Sequence, residues 1–315
     1  MPDIPPPFTS SSLAHAPEGS PITLRIGHSP DPDDAFMWYP LADFGPGEGP
    51  GGQSWSPRID TGPYRFVHVL EDIQSLNERS GRGELEITAL SIAQYPYVAD
   101  RYALTRCGAS LGDGYGPMVI APAQRSISID DLPELRIAVP GERTSAFLAL
   151  SMQMGRRIPH YEVVMFDRII PAVAAGEFDA GLIIHEGQLT YAEAGLQKVV
   201  DLGQWWGATR GLPLPLGGNA IRRDLGEARM AEVCRILQQS IEYALAHRED
   251  AIRYALHYAR DMGADLADRF VGMYVNKWTL DYGEQGRRAV EQFLGEAAAM
   301  GLVPDTGPPT FVAPA

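Results

Sequence analysis

The strongest constraint on the fold of this chain is a repeated order of strand, polar turn and helix. Residues Ile22–Gly27 alternate apolar and polar side chains, which is typical of a half-buried strand. The turn-forming sequence Ser29–Asp34 follows, and the apolar segment Ala35–Leu41 suits a buried helix that Asp33 or Asp34 caps. This order predicts an α/β fold, in which ligands bind beyond the carboxyl ends of the strands.

The same order continues along the chain with one interruption. Residues 43–63 contain six Gly and four Pro, which predicts a surface loop. From Leu225 onward, apolar residues recur three or four positions apart, which predicts a helical C-terminal segment. Further strands are predicted at 64–70, 85–91, 117–122, 135–139, 162–166 and 181–185, and further helices at 72–77, 145–154 and 168–176.

A division into two lobes follows from this order. The run of Leu and Pro at 212–218 is predicted to interrupt the pattern, before a strand at 219–221 returns to the first unit. The cleft between the two lobes is the expected ligand site. The predicted units are a disordered leader (1–21), a discontinuous first lobe (22–116 and 215–303), a second lobe (117–214) and a tail (304–315).

The charge balance restricts the partners of the chain. It carries 26 basic and 40 acidic side chains, which give a net charge of −14. Nucleic acid and anionic membranes are bound through Lys and Arg, so neither is an expected partner. The N-terminal segment lacks the basic and apolar regions of a secretory signal, and no apolar run approaches the roughly 20 residues that span a bilayer. We therefore predict a cytoplasmic location.

Several well-known catalytic and cofactor motifs are absent from the sequence. It contains neither a GxxxxGKS/T phosphate loop nor a GxGxxG sequence after a strand, so nucleotide binding is unsupported. His185 and Glu186 are not part of an HExxH zinc motif, and there is no GxSxG nucleophile elbow. Cys107 and Cys234 are too few for a four-thiolate zinc site and are expected to be buried, reduced thiols.

The turn after the first strand is one candidate for ligand contacts. His28, Asp31, Asp33 and Asp34 form the densest group of potential ligands for a hard metal ion. The same carboxylates suit the hydrogen bonds of a turn and a helix cap, and this second interpretation is favoured. Because the turn faces the predicted cleft, Ser29, Asp33 and Asp34 are expected to contact the substrate.

A second candidate lies between the strand at 135–139 and the following helix. The segment Pro140–Ala146 places the hydroxyls of Thr144 and Ser145, and the free amides up to Ala146, at a helix N-terminus. Such a terminus binds carboxylate or phosphate through its unpaired N–H groups. The alternative is that Thr144 or Ser145 serves only as the helix cap.

His185 is the third candidate. It follows the apolar residues Gly181–Ile184 at the end of a predicted strand, where its side chain would emerge at the cleft. An imidazole there could accept a proton from a substrate carbon or hydroxyl. A hydrogen-bonded structural histidine is the alternative that the residues alone leave open.

Several segments together resemble a known enzyme family, the 1,4-dihydroxy-6-naphthoate synthases of the futalosine route to menaquinone. Their order and spacing agree over about residues 22–303. The resemblance implies the two-lobed α/β fold of type II periplasmic binding proteins, with a ligand cleft between the lobes and a helical C-terminal segment. The similar segments are Gly27–Asp34, Leu70–Asn77, Ala89–Ser91, Pro140–Ala146, Ala180–Glu186, Val200–Trp206 and Gly211–Gly217.

The resemblance also implies an activity and a set of site residues. Family members cleave a carbon–carbon bond of cyclic dehypoxanthinyl futalosine, an anionic substrate, without a cofactor. His185 matches the catalytic base of the family. Thr144, Ser145 and Ala146 match the helix N-terminus that holds an acidic group of the substrate, and Ser91 matches a cleft residue on the opposite lobe.

One segment departs from the family pattern. Where the family commonly has S-P-C-P-N-D-T, this chain has Asp31, Asp33 and Ala35 in place of Cys, Asn and Thr. A carboxylate at position 33 would repel an anionic ligand unless it is protonated or points away.

Two alternative functions stay open on the sequence. A binding protein of the same fold could capture a small carboxylate without chemistry, and the chorismate dehydratase of the same route shares the fold. The sequence does not determine the oligomeric state.

Overall fold

The structure, a computed structural model, describes residues 21–184, 186–258 and 263–315. The predicted leader therefore lies outside the described residues, apart from Pro21, and so does His185. The described residues form two β-sheets with helices packed around them. None of their helices is long and apolar enough to cross a bilayer.

The first sheet has the order β12-β4-β11-β3-β1-β2, with β5 paired to β11. Its strands are β1 (Ile22–His28), β2 (Tyr64–Leu70), β3 (Ile87–Ser91), β4 (Tyr102–Thr105), β5 (Ser110–Gly112), β11 (Leu214–Arg222) and β12 (Phe311–Val312). β1 runs parallel to β2 and β3, so the turn after His28 and the residue Ser91 lie at the same edge. β11 runs antiparallel to β3 and pairs Gly217 with Ser91.

The second sheet has the order β10-β6-β9-β7-β8. Its strands are β6 (Met118–Pro122), β7 (Ile137–Val139), β8 (Tyr161–Val163), β9 (Ala180–Ile183) and β10 (Leu196–Asp201). β7 is parallel to both β8 and β9. Its carboxyl end therefore leads the chain through Pro140–Thr144 into the next helix, at the edge where β9 ends.

Ten α-helices occur in the described part of the chain. They are α1 (Pro32–Trp38), α2 (Ile73–Arg82), α3 (Ser145–Gln153), α4 (Ile169–Ala174), α5 (Leu202–Arg210), α6 (Glu227–Ala246), α7 (Arg248–Ala255), α8 (Ala264–Tyr274), α9 (Lys277–Leu280) and α10 (Gly283–Ala299). The apolar stripe predicted in the C-terminal segment is confirmed on α6, where Met230, Val233, Leu237 and Ile241 are buried. The helix predicted at 72–77 is confirmed as α2, which Asp72 caps by accepting hydrogen bonds from two backbone amides.

Two predictions about local structure were wrong. The first helix begins at Pro32, so Asp31 occupies the cap position, and the Asp34 side chain accepts a hydrogen bond from Ser29 N–H instead of capping α1. Proline suits the first helical position because its fixed φ matches the helix and its missing N–H would have no partner there.

The run of Leu and Pro at 212–218 does not interrupt the sheet, because most of it belongs to β11. Pro215 lies where the pairing of β11 with β5 shifts register, between Pro215 and Gly217. A missing backbone N–H costs little at such an irregularity. Cys107 and Cys234 are free and buried, as predicted. The lobe boundaries given above stay a prediction.

Candidate functional site

A cavity of about 140 Å³ lies where elements of the two sheets meet. The β1–α1 turn, the end of β3 and the start of β11 provide one wall. The N-terminus of α3 and Ile184, just after β9, provide the facing wall. All seven predicted substrate-contact residues line this cavity, namely Ser29, Asp33, Asp34, Ser91, Thr144, Ser145 and Ala146. His185 lies outside the described residues and follows Ile184 in the sequence.

The N-terminus of α3 presents its backbone amides, because both hydroxyls already have protein partners. Thr144 Oγ1 accepts from Phe147 N–H at 3.2 Å and donates to the carbonyl of Gly141 at 2.8 Å. Ser145 Oγ donates to the carbonyl of Leu216 and accepts from Ala93 N–H at 3.1 Å. The N–H groups of Ser145 and Ala146 belong to the first turn, so they have no acceptor inside the helix. These two amides are the anion-binding groups that this wall offers.

Ser91 is held in place by the buried side chain of Asn77. Ser91 N–H donates to Asn77 Oδ1 at 2.9 Å, and Asn77 Nδ2 donates to Ser91 Oγ at 3.1 Å. Asn77 Nδ2 also lies 3.4 Å from the carbonyl of Arg143, which precedes α3. Since Ser91 Oγ accepts in its contact with Asn77, its own proton is available to a ligand in the cavity. Asn77 therefore aligns the two walls with each other.

The β1–α1 turn places three carboxyl groups on the cavity wall. Asp34 Oδ2 accepts from Ser29 N–H at 2.8 Å, and Ser29 Oγ accepts from Asp31 N–H at 3.2 Å. Burial raises the pKa of Asp34 to about 6, although the bonds from Ser29 oppose the shift. Burial, together with the nearby charges of Asp34 and Asp31, raises the pKa of Asp33 well above its usual range.

A histidine pair lies behind this turn. His28 Nδ1 is 2.9 Å from the carbonyl of Ser29, and His28 Nε2 is 2.9 Å from His68 Nδ1. Because the carbonyl only accepts, His28 carries its proton on Nδ1, and His68 donates to it. Burial lowers the pKa of His28 to about 4 and that of His68 to about 3, so both rings are neutral near pH 7. The pair fixes the start of the turn without adding charge to the cavity.

Sequence reasoning missed three polar cavity residues, Ser110, Asn219 and Tyr274. Tyr274 of α8 donates to Gln188 Oε1 at 3.2 Å and was part of an apolar helical pattern. Asn219 is buried in β11, its Nδ2 donates to the carbonyl of Gly108 at 3.0 Å, and its Oδ1 has no partner among the described residues. A side chain at position 108 would collide with this amide, since a Cβ there would lie 2.3 Å from Nδ2. A polar residue in an apolar strand was the available signal for Asn219.

The cavity has an unusual charge distribution. Three Asp residues line it, whereas no Lys or Arg does so in the described part of the chain. Across those same residues, no group of three or more His, Cys, Asp or Glu side chains is arranged to hold a metal ion. Backbone amides and the hydroxyl of Ser91 are thus the hydrogen-bond donors that the geometry provides for an anion.

Two α/β lobes with a cavity between them define the fold of the periplasmic-binding-protein class. The alkanesulfonate-binding protein of Xanthomonas axonopodis shares this fold, with a TM-score of 0.63 and 14% identity over 92% of this chain and 97% of that one. A Candida albicans protein described as having the generic periplasmic binding protein fold matches with a TM-score of 0.61 at 12% identity, covering 90% of this chain and 92% of that one.

Closer relatives identify the family. A sequence model described as menaquinone biosynthesis matches residues 24–299, so the chain belongs to the menaquinone biosynthesis family. The 1,4-dihydroxy-6-naphthoate synthase of Thermus thermophilus is 42% identical over 92% of this chain and 99% of its own length. The enzyme of the same name from Streptomyces coelicolor is 37% identical over 93% and 99%. A solved structure from Archaeoglobus fulgidus is 42% identical, with a TM-score of 0.79 over 89% of this chain and 98% of that one.

Proposed function

We propose that this protein is a carbon–carbon lyase that converts cyclic dehypoxanthinyl futalosine into 1,4-dihydroxy-6-naphthoate, a step of menaquinone biosynthesis. Two relatives that match nearly its whole length are named synthases of this product. The observation that carries the proposal is the convergence of all seven predicted contact residues on one cavity. They come from three separate segments of the sequence, so chance alone does not account for it.

The α3 wall holds the carboxylate of the substrate in this proposal. The N–H groups of Ser145 and Ala146 donate to it, and the positive end of the helix dipole stabilises its charge. The Ser91 hydroxyl adds a donor from the other wall. Because Asn77 and Ser145 already fix both walls through buried hydrogen bonds, these donors need little rearrangement when the substrate binds.

His185 is the proposed base. It accepts a proton from the substrate as the carbon–carbon bond breaks, a role that requires a neutral imidazole near pH 7. The neighbouring Ile184 lines the cavity, which supports the assignment of its successor in the sequence. His28 and His68 are weaker candidates for this role, since both rings are held by hydrogen bonds and neither lines the cavity.

A product assay with matched variants tests the base. Wild-type protein is incubated with cyclic dehypoxanthinyl futalosine, and the naphthoate is quantified by chromatography with mass detection. We expect His185→Ala and His185→Gln to lose at least about a hundredfold in kcat, which is within the usual contribution of a general base. The variant His160→Ala, which alters an exposed histidine that does not line the cavity, is the control.

Retained turnover in both His185 variants would contradict the base assignment. A parallel incubation with chorismate separates the alternative enzyme of the same route, because dehydration of the enolpyruvyl side chain gives a different product. Tight binding of the cyclic substrate with no product from wild-type protein would instead favour a binding protein without chemistry.

A further inference from the structure

The β1–α1 turn poses an electrostatic problem for an anionic substrate. Asp33 and Asp34 both line the cavity, and among the described residues no Lys or Arg lines it. A carboxylate in water-poor surroundings repels a second anion strongly, since the interaction is weakly screened. The wall is compatible with such a substrate only if at least one of these groups is neutral.

Geometry separates the roles of Asp33 and Asp34. The carboxylate of Asp34 is anchored by Ser29 N–H at 2.8 Å, a charge-assisted bond that favours its ionised form. The ionised form of Asp33 is favoured only by backbone amides of the turn, and burial, together with the charges of Asp34 and Asp31, outweighs their effect on its pKa. When the pair shares one negative charge, the charge belongs on Asp34 and the proton on Asp33.

We propose that Asp33 acts as a neutral carboxylic acid whose O–H donates a hydrogen bond to an acceptor oxygen of the bound anionic substrate. It is thus a specificity-determining residue of the site, and this inference rests on the proposed function. In its neutral form, the Asp33 side chain donates a hydrogen bond and allows an anion to bind at this wall. Once ionised, the same side chain repels the anion. The ligand and Asp34 together hold Asp33 in its protonated form.

Among the described residues, the other titratable groups near Asp33 either titrate outside the neutral range or belong to the same turn. Burial raises the pKa of Tyr274, on α8, far above neutral pH, so its hydroxyl stays protonated. His28, behind Ser29, has a pKa of about 4 and is neutral. Asp31 and Asp34 belong to the same turn, and their negative charges raise the pKa of Asp33, which favours its protonated form.

Proton linkage gives the inference a measurable consequence. If binding requires the protonated form of Asp33, affinity is constant below the pKa of Asp33 in the free protein. Above that pKa, the dissociation constant rises by up to about tenfold for each pH unit. A residue that only supports the fold would not impose this slope on ligand affinity.

The test measures binding of 1,4-dihydroxy-6-naphthoate by calorimetry at a series of pH values from about 5 to 9, a range in which ordinary carboxyl groups stay ionised. We expect the affinity of the wild type to fall as the pH rises. Asp33→Asn keeps a neutral donor at the same position, so above about pH 7, where Asp34 with its pKa of about 6 is already ionised, its affinity should be nearly independent of pH and within about threefold of the best wild-type value. Asp31→Asn removes a negative charge that raises the pKa of Asp33, so the fall in affinity should begin at a lower pH while its slope is retained.

Calorimetry in buffers of different ionisation enthalpy gives a second measurement that needs no variant. In the pH range where wild-type affinity falls with rising pH, the wild type should take up about one proton when the naphthoate binds. Equal pH dependence in wild type and Asp33→Asn, or binding without proton uptake, would overturn the inference while leaving the product assay unaffected. Absence of both naphthoate binding and turnover in the wild type would overturn the proposed function, and the inference with it.

Discussion

The two walls of the cavity bind ligand groups by different means. At the N-terminus of α3, the hydroxyls of Thr144 and Ser145 are used by the protein, and the groups left for a ligand are backbone amides that do not titrate. In the β1–α1 turn, the groups left for a ligand are carboxyls whose charge depends on pH. One wall therefore gives constant affinity for an anion, and the other makes that affinity conditional on a proton.

The contact between the walls should show the largest effect on stability. Asn77→Leu leaves Ser91 N–H without its buried acceptor and removes the contact with the Arg143 carbonyl. We expect the free energy of unfolding to fall by about 2 to 4 kcal/mol, since each buried unpaired group costs about 1 to 3 kcal/mol. Urea unfolding measures this change.

Glu78→Ala, on the exposed face of the same helix, is the matched control and should change the unfolding free energy little. If Asn77→Leu were as mild as the control, the two walls would not depend on Asn77 for their alignment.

The carboxyl pair of the turn should make stability depend on pH. The pKa of Asp34 is about 6 in the folded protein, above its value in an unfolded chain, so folding favours the protonated form. The free energy of unfolding should therefore be highest below about pH 4 for this pair and fall by about 1 to 3 kcal/mol as the pH rises past about 6. Unfolding of wild type and Asp34→Asn across this range measures the effect, which the variant should reduce.

Asp131 provides a control of opposite sign. Hydrogen bonds from Ser128 lower the pKa of this exposed carboxyl, so its contribution is present at neutral pH and is lost on acidification. A turn pair that behaved like Asp131 would contradict the electrostatic account of this wall.

Removing the Ser145 hydroxyl should affect the stability of the protein more than its affinity for the ligand. Ser145→Ala leaves the Leu216 carbonyl and the Ala93 N–H without this partner, which should cost about 1 to 3 kcal/mol of unfolding free energy. Naphthoate affinity should change less than about threefold, because the amides that bind the carboxylate remain.

Ser151→Ala is the matched control on the same helix, since Ser151 Oγ is buried without a partner in the described structure and its removal breaks no hydrogen bond. A large loss of affinity in Ser145→Ala, measured on folded protein, would show that the hydroxyl itself binds the ligand.

The smallest effect is expected at the helix cap. Thr144→Ala removes the acceptor for Phe147 N–H and should lower the unfolding free energy by about 1 kcal/mol. Thr144→Ser keeps the hydroxyl and should retain most of the stability. Thermal unfolding of the two variants measures the difference. Equal stability of Thr144→Ala and Thr144→Ser would show that the Thr144 hydroxyl does not stabilise α3 as a cap.

Local patterns were sufficient to predict the elements that carry the site. The alternation in Ile22–Gly27 predicted β1, and the apolar segment after Ser145 predicted α3. The positions of Ser91 and the Ser29–Asp34 turn at strand ends then placed them at one edge of a sheet. These inferences depend on spacing along the chain, which the sequence contains directly.

Contacts between distant segments could not be predicted in this way. Asn77 meets Arg143 across 66 positions, and Ser145 meets Leu216 across 71. The sequence therefore offered both the hydroxyls and the free amides of α3 as ligand contacts, whereas tertiary packing uses the hydroxyls and leaves the backbone amides. The prediction that the run at 212–218 interrupts the pattern was wrong for a related reason. Only the register of β11 against β5 shows that the missing N–H of Pro215 is tolerated there.

The most direct test of the account is the stoichiometric conversion of cyclic dehypoxanthinyl futalosine by the wild-type protein. Purified protein without added cofactor is mixed with the substrate, and substrate loss and naphthoate formation are followed together by mass spectrometry. We predict multiple turnovers with one 1,4-dihydroxy-6-naphthoate formed for each substrate consumed. Unchanged substrate after prolonged incubation with folded protein would contradict the proposed function.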